Sequence, residues 1–258
     1  DVARDQGAAA GMKRHRRPPV LAPLPPEPEP ILPPTTWTRP GRILSPQHIP
    51  FNIRQIVDGA HEGEFLLPPF QRPYVWTPEQ AVRLFDSLRR GYHVGSLFLW
   101  ERWGMTPSEV EIGGVRATSG TRAYAVLDGH QRIASVVWAA TSPRCSFDLL
   151  SGALLVDAAP GPWVVPAGVV LGRMSNHVRM ADWMLTDSRA HAATYEIDPR
   201  ALQRLVLGLC AVFERAYISA VRLDADYALP DVVEMYRRLN TEGTRHTAED
   251  LERALAAL

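Results

Sequence analysis

Between Tyr124 and Ala140 the chain changes its period across two residues. Tyr124-Ala125-Val126-Leu127 is an apolar run of strand type, Asp128-Gly129 is a turn pair, and Ile133, Val136, Val137 and Ala140 then recur at helical spacing. Any fold for this chain must therefore hold a strand and a helix that meet at a tight polar corner. Such a junction leaves the amide hydrogens of Gly129, His130 and Gln131 pointing outward at a helix N-terminus, where a phosphate is favourably bound. Asp128 is suited to holding a metal ion or orienting water. Gln131 offers donor and acceptor together, and Arg132 presents a planar fork of N–H groups. Asp and Gly are also ordinary turn and capping residues, so the motif alone reads equally well as a structural corner.

The rest of the composition narrows the class. A chain of 258 residues with 46% hydrophobic and 22% charged residues buries a substantial core as one large or two small domains. Basic and acidic residues balance at 28 each, so no global field favours nucleic acid, and any such contact must come from a local patch. Lys13 is the only lysine; the arginine excess follows as readily from a high-GC genome as from oxyanion chemistry. Cys145 and Cys210 lack metal-like spacing and read as buried thiols in a reducing cytosol. His93, His177 and His191 show no metal spacing either and read as structural or solvated. No apolar run reaches membrane-spanning length, and the basic cluster Lys13 to Arg17 precedes prolines rather than an apolar segment, so neither a membrane location nor a signal peptide is expected. The chain starts at Asp1 and stops inside a helical pattern, Ala248 to Leu258, so truncation at the C-terminus is expected.

Residues 1–50 read as a disordered Pro-rich tail, because Pro18 to Pro34 cannot sustain helix or ladder hydrogen bonds. The ordered domain is expected over 51–258. Asn52 to Gly59 predicts a short helix with Ile53 and Ile56 inward, and Glu64 to Leu67 a strand. Thr77-Pro78-Glu79-Gln80 starts a helix that buries Ala81, Leu84, Phe85 and Leu88 and ends at Gly91. Ser96 to Trp100 predicts a buried strand, followed by a Gly-containing loop. Cys145 to Leu150 and Ala153 to Val156 predict a hairpin around Ser151-Gly152. Val178 to Leu185 is weakly helical, Pro199 to Ala216 strongly so, Tyr217 to Leu223 is strand-like and Asp231 to Leu239 is amphipathic. Thr247 caps a last helix. There are no internal repeats.

Three polar motifs stand at junctions between these elements, where a rigid scaffold tends to carry binding residues: Gln71-Arg72 flanked by Phe70, Tyr74 and Trp76, then Asp128 to Arg132, then Asn240 to Gly243. In this order the chain resembles the N-terminal domain of GmrSD-type modification-dependent restriction enzymes, a bacterial family also found in phosphorothioate-sensing defence proteins. The resemblance covers about residues 50–258. It rests on Leu67 to Trp76, on Asp86-Ser87-Leu88 with Gly91 to Ser96, on Leu127-Asp128-Gly129-His130-Gln131-Arg132, which is similar to an Asp-Gly-Gln-Gln-Arg signature, and on Arg238 to Thr244. His130 departs from that signature, and Glu242 stands where glycine is commoner.

The resemblance implies an α+β fold related to ParB and sulfiredoxin, with a small mixed sheet, flanking helices and an added helical region. It also implies nucleoside triphosphate hydrolysis coupled to recognition of modified DNA in anti-phage defence, with a separate nuclease domain in cis or in trans. This chain itself carries no expected nuclease activity. On that basis Gly129 and His130 cradle phosphate, Arg132 neutralises its charge, Asp128 binds magnesium or orients water, and Gln131 positions water or a phosphate oxygen. Gln71 and Arg72 contact nucleotide or DNA backbone, Asn240, Thr241 and Gly243 close the pocket, and Phe70, Tyr74 and Trp76 supply an apolar wall for a modified phosphate. Each role has a plainer counterpart: aromatic core, a surface ion pair of little consequence, or a helix C-cap. The alternative reading is a non-catalytic ParB-like module that binds DNA or nucleotide through the same corner.

Overall fold

Ser96-Leu97-Phe98-Leu99-Trp100 is apolar without alternation, the pattern of a strand covered on both faces. A computed structural model of the chain, which describes residues 45–68, 71–172 and 183–240, places it at the centre of a sheet. The strands are β1 (Gln47–Asn52), β2 (Phe65–Leu66), β3 (Ser96–Trp103), β4 (Glu109–Ile112), β5 (Val115–Thr118), β6 (Arg122–Asp128), β7 (Cys145–Asp148), β8 (Ala153–Val156), β9 (Val164–Pro166) and β10 (Tyr217–Leu223). The helices are α1 (Ile53–His61), α2 (Pro78–Arg89), α3 (His130–Thr141), α4 (Ala167–Leu171), α5 (Ser188–Thr194), α6 (Pro199–Arg215) and α7 (Leu229–Asn240), with a π-helical turn, Trp183–Asp187, leading into α5.

The principal sheet has five strands in the order β1-β10-β3-β6-β2. Its pairs alternate between antiparallel (β1 with β10, β3 with β6) and parallel (β10 with β3, β6 with β2), so the sheet is mixed and the fold is α+β. Leu97 and Leu99 join Val126, Ile218 and Ala220 on one face, under α1, α2, α3 and α6. Phe98 and Trp100 join Ala125, Leu127 and Leu223 on the other, under Tyr227 and the α7 residues Val232 and Tyr236. Burying side chains of this size contributes about 1.5–3 kcal/mol each, and β3 contributes on both faces.

The ends of the elements follow the residue chemistry. Asn52 caps α1 by accepting from the Gln55 amide at 2.7 Å, while Gln55 accepts in return from the Asn52 amide at 2.9 Å. Gln80 accepts from the Thr77 amide at 2.8 Å at the start of α2. A three-stranded sheet, β8-β7-β9, follows α3 in the chain. Phe147 of β7 meets Phe85 of α2 and Phe213 of α6, with ring centroids 6.0 and 5.1 Å away.

Two expectations need correcting. Strand β1 begins at Gln47, inside the stretch assigned to the tail. Its Pro50, which has no N–H to offer, is tolerated because β1 is an edge strand paired on one side only. The Gly-containing loop after β3 is instead the hairpin β4-β5, turning at Gly113-Gly114. Most of the weak helical signal at 178–185, and the whole of the last predicted helix, lie outside the described residues.

Candidate functional site at the Asp128 corner

The corner begins with an irregularity in β6. Along the β3–β6 ladder Phe98 faces Asp128 and Leu99 faces Val126, so Leu127 is an extra residue in its strand. Such bulges bend a strand and re-aim the residues beyond them. Gly129 comes next with φ +97° and ψ 5°, in the left-handed region, and it is the N-cap of α3. A side chain there would also put its Cβ 2.5 Å from Leu97 Cδ2, so glycine is required twice over. With no side chain at the cap, no side chain among the described residues caps the α3 N-terminus, which leaves its first amides to an anion.

Arg132, one turn along α3, reaches back across this corner. Its Nη2 donates to Asp128 Oδ2 at 3.1 Å and its Nη1 to the Val94 carbonyl at 3.0 Å. The two partners are differently exposed: the Arg132 side chain is 14% accessible and that of Asp128 59%. The guanidinium is a fixed charge in the wall, and the carboxylate is open to solvent. Gly95, with φ +82°, lets the backbone pass against this guanidinium, because a Cβ there would overlap Arg132 Nη1.

The two glutamines serve the walls. Strand β2 leaves the edge of β6 after Leu66, and the Gln71 amide takes up the next carbonyls, donating from Nε2 to Val126 at 3.0 Å and Leu127 at 2.7 Å. A side chain thus finishes a ladder that a strand began. Gln131 clamps the nearby residues of the same segment: Oε1 accepts from the amides of Val75 at 2.9 Å and Trp76 at 3.3 Å, and Nε2 donates to the Pro73 carbonyl at 3.0 Å. Its amide is therefore engaged with residues 73–76 rather than facing a phosphate. Tyr74 and Trp76 pack against the main core, and the Tyr74 hydroxyl lies 3.0 Å from Ser135 Oγ. Of the expected aromatic wall, these two form support, and Phe70 lies outside the described residues. Arg72 is exposed, with no ion-pair partner among the described residues.

His130 is only 5% exposed. Its ring donates to the Arg72 carbonyl, which links the first motif to the second, while Nδ1 is buried without a hydrogen-bond partner among the described residues. Burial lowers its pKa below the ordinary histidine value; the bond to Arg72 opposes this and the Arg72 charge adds to it. The ring is neutral at pH 7.

A family model described as the GmrSD restriction endonuclease N-terminal domain matches residues 53–257, from the first residue of α1 onward. The chain belongs to this family. Uncharacterized protein MJ0686 of Methanocaldococcus jannaschii is similar to it, with 31% identity over 103 residues, which is 36% of this chain and 17% of that protein's length. As a GmrSD-family domain the chain is a restriction-system module. No helix among the described residues is long and apolar enough to cross a membrane.

Little of the third motif of this GmrSD-family domain falls among the described residues. Asn240 ends α7, but its side chain, together with Thr241, Glu242 and Gly243, lies outside the described residues. The same helix instead supplies a residue that the motifs do not suggest. Burial and then the Asp128 carboxylate raise the pKa of Tyr236, with Arg72 opposing, so Tyr236 lies within electrostatic reach of both charged groups. It stands four positions before Asn240, on the buried face of an amphipathic helix, a pattern that reads only as core. Val94, whose contribution is a carbonyl, and Gly95 leave no chemical signal in sequence beyond their place just ahead of the β3 strand. No group of three or more His, Cys, Asp or Glu side chains among the described residues converges on a metal position. Cys145 and Cys210 are buried, and burial pushes both thiols up to about 11.

Proposed function

We propose that the Asp128 corner binds the phosphate chain of a nucleoside triphosphate and directs water onto it, within a domain that senses DNA modification for a restriction system. The observation that carries this reading is the exposed Asp128 carboxylate beside an uncapped helix N-terminus, backed by a guanidinium fixed in place by the Val94 carbonyl. Phosphoryl transfer to water depends on charge neutralisation and a positioned nucleophile more than on covalent catalysis. The α3 amides at Gly129 and His130 receive phosphate oxygens, and Arg132 neutralises their charge without having to reorganise. Arg72 approaches from the exposed side. A carboxylate beside a phosphate is unfavourable unless a cation lies between them. One carboxylate completed by phosphate oxygens and water is a donor set that magnesium accepts, and it suits a corner with a single solvent-open carboxylate. Magnesium held by Asp128 would supply charge neutralisation at the reacting phosphate. Gln71 and Gln131 position the walls, and the part given to Asn240, Thr241 and Gly243, closing the site, rests on the motif alone.

Family membership supports the DNA half of this reading, in which phosphorothioate or glucosylated DNA stimulates turnover and a nuclease domain in cis or in trans cuts. The test is phosphate release from GTP, ATP and CTP with magnesium, with and without each DNA. Asp128→Ala is expected to lower turnover about a hundredfold or more. Unchanged turnover in that variant would remove the assignment.

A second reading is favoured by one observation: the Gln131 amide is fully engaged with residues 73–76, so the signature's second glutamine is not free to position water. The corner would then bind backbone or nucleotide phosphate without hydrolysis. Tighter binding by Asp128→Asn, with no turnover in wild type, selects this reading.

A further inference from the structure

A pocket of about 540 Å³ lies where α2 and α6 both end, and its lining contains Arg89, Arg90, His93 and Arg215, with no aspartate or glutamate among the described residues. Tyr92 and Tyr217, also in the lining, are 60% and 58% exposed. The volume is in the range of sites for small organic ligands.

Cations at helix C-termini are expected, because the last carbonyls carry partial negative charge. Here that need is largely met from the backbone: the amides of Gly91 and Tyr92 bond to the carbonyls of Leu88 and Ser87, and the amide of Ala216 bonds to that of Val212. Asp86 pairs with both Arg89 and Arg90, at 2.9 and 2.8 Å. Two of the pocket's three guanidinium groups thus share one carboxylate. Arg215 has no ion-pair partner among the described residues, Arg89 Nε is buried without a hydrogen-bond partner among them, and Arg90 also donates to the Tyr92 hydroxyl. The surplus is positive, and the rings beside it are flat, exposed and polar-tipped.

We propose that this pocket is a second binding site, separate from the Asp128 corner, for a nucleotide unit, either free or within a single strand: phosphate on Arg215 and Arg89, base against Tyr217 or Tyr92. Guanidinium forks match phosphate oxygens, and base stacking on tyrosine is tolerant of sequence. The site does not rest on hydrolysis at the corner. It does share a wall with it, since Val94 and Gly95 line the pocket and are the residues against which Arg132 lies.

The experiment is fluorescence anisotropy on the full chain without magnesium, using a short labelled single-stranded oligonucleotide and, separately, ribose-labelled ATP. Arg215→Glu and Tyr217→Ala, both at exposed positions, are each expected to weaken binding roughly tenfold. Arg116→Glu, the same charge reversal on the distant and 85% exposed Arg116 side chain, is expected to leave binding within about twofold, as a site-specific effect requires. Loss confined to the oligonucleotide identifies a strand as the ligand, and loss for ATP identifies a free nucleotide. The proposal is overturned if neither probe binds, if Arg215→Glu and Tyr217→Ala bind as wild type, or if Arg116→Glu weakens binding equally. Thermal melts of each variant separate misfolding from lost contact. Loss of turnover in Asp128→Ala with oligonucleotide binding intact bears on the corner alone.

Discussion

Gly129 and His130 stand side by side and constrain the corner in different ways. At Gly129 both the backbone and the space require the absence of a side chain: φ is +97° and a Cβ would lie 2.5 Å from Leu97 Cδ2, inside a fully buried neighbour. Gly129→Ala is expected to lower stability by about 1–3 kcal/mol, read as a lower urea midpoint, and to reduce nucleotide turnover further by tilting the α3 amides. At His130 the constraint is protonation. Burial depresses the folded pKa, so the unfolded chain takes up the proton first as pH falls. The neutral ring's contribution is therefore complete above the unfolded value near 6.5 and is lost as pH drops from there through the lowered folded value. Stability measured against pH should fall below that point in wild type. His130→Gln, which restores the signature residue and cannot titrate, should flatten that part of the curve; an unchanged slope would assign the dependence elsewhere.

Among elements, the segment 71–76 is held by side chains where a strand would use its backbone. Gln71 bonds to two β6 carbonyls, and Gln131 bonds to two amides and one carbonyl of the segment. Gln131→Ala leaves those groups to solvent. It is expected to speed hydrogen exchange at the Val75 and Trp76 amides by about tenfold, the equivalent of roughly one net hydrogen bond, while amides in β3 keep their protection. Most elements are legible in the sequence because each carries a local signature: the period change at Asp128-Gly129, the cap at Thr77, the unbroken apolar run of β3. The β4-β5 hairpin carries one too, the alternation Glu109-Val110-Glu111-Ile112 before Gly-Gly, but four residues are a short run, and the glycines beside it read as a loop. The site is legible as three motifs but not as a division of labour. Residue type marks Gln131 and Gln71 as versatile hydrogen-bonding groups, and only the tertiary fold decides that their partners are backbone. Tyr236 is hidden for the opposite reason, since helical periodicity cannot distinguish a ring that only fills a core from one that also lies within electrostatic reach of a carboxylate.

At the scale of the whole molecule, the three-phenylalanine contact joins β7 to α2 and α6, with Phe85 and Phe213 themselves 5.6 Å apart. Phe147→Ala is expected to cost about 3–5 kcal/mol. Because Phe147 lies in the same core as the principal sheet, the loss should appear as one earlier cooperative transition in calorimetry; two separated transitions would show that β7-β8-β9 melts alone. The same continuity bears on Arg132, whose guanidinium has one nitrogen on Asp128 and the other on the Val94 carbonyl. A rigid fork bonded at both tips cannot yield at one without being felt at the other. Were ligands to bind both at the corner and in the arginine-lined pocket, whatever factor one imposed on the other's affinity it would receive in return.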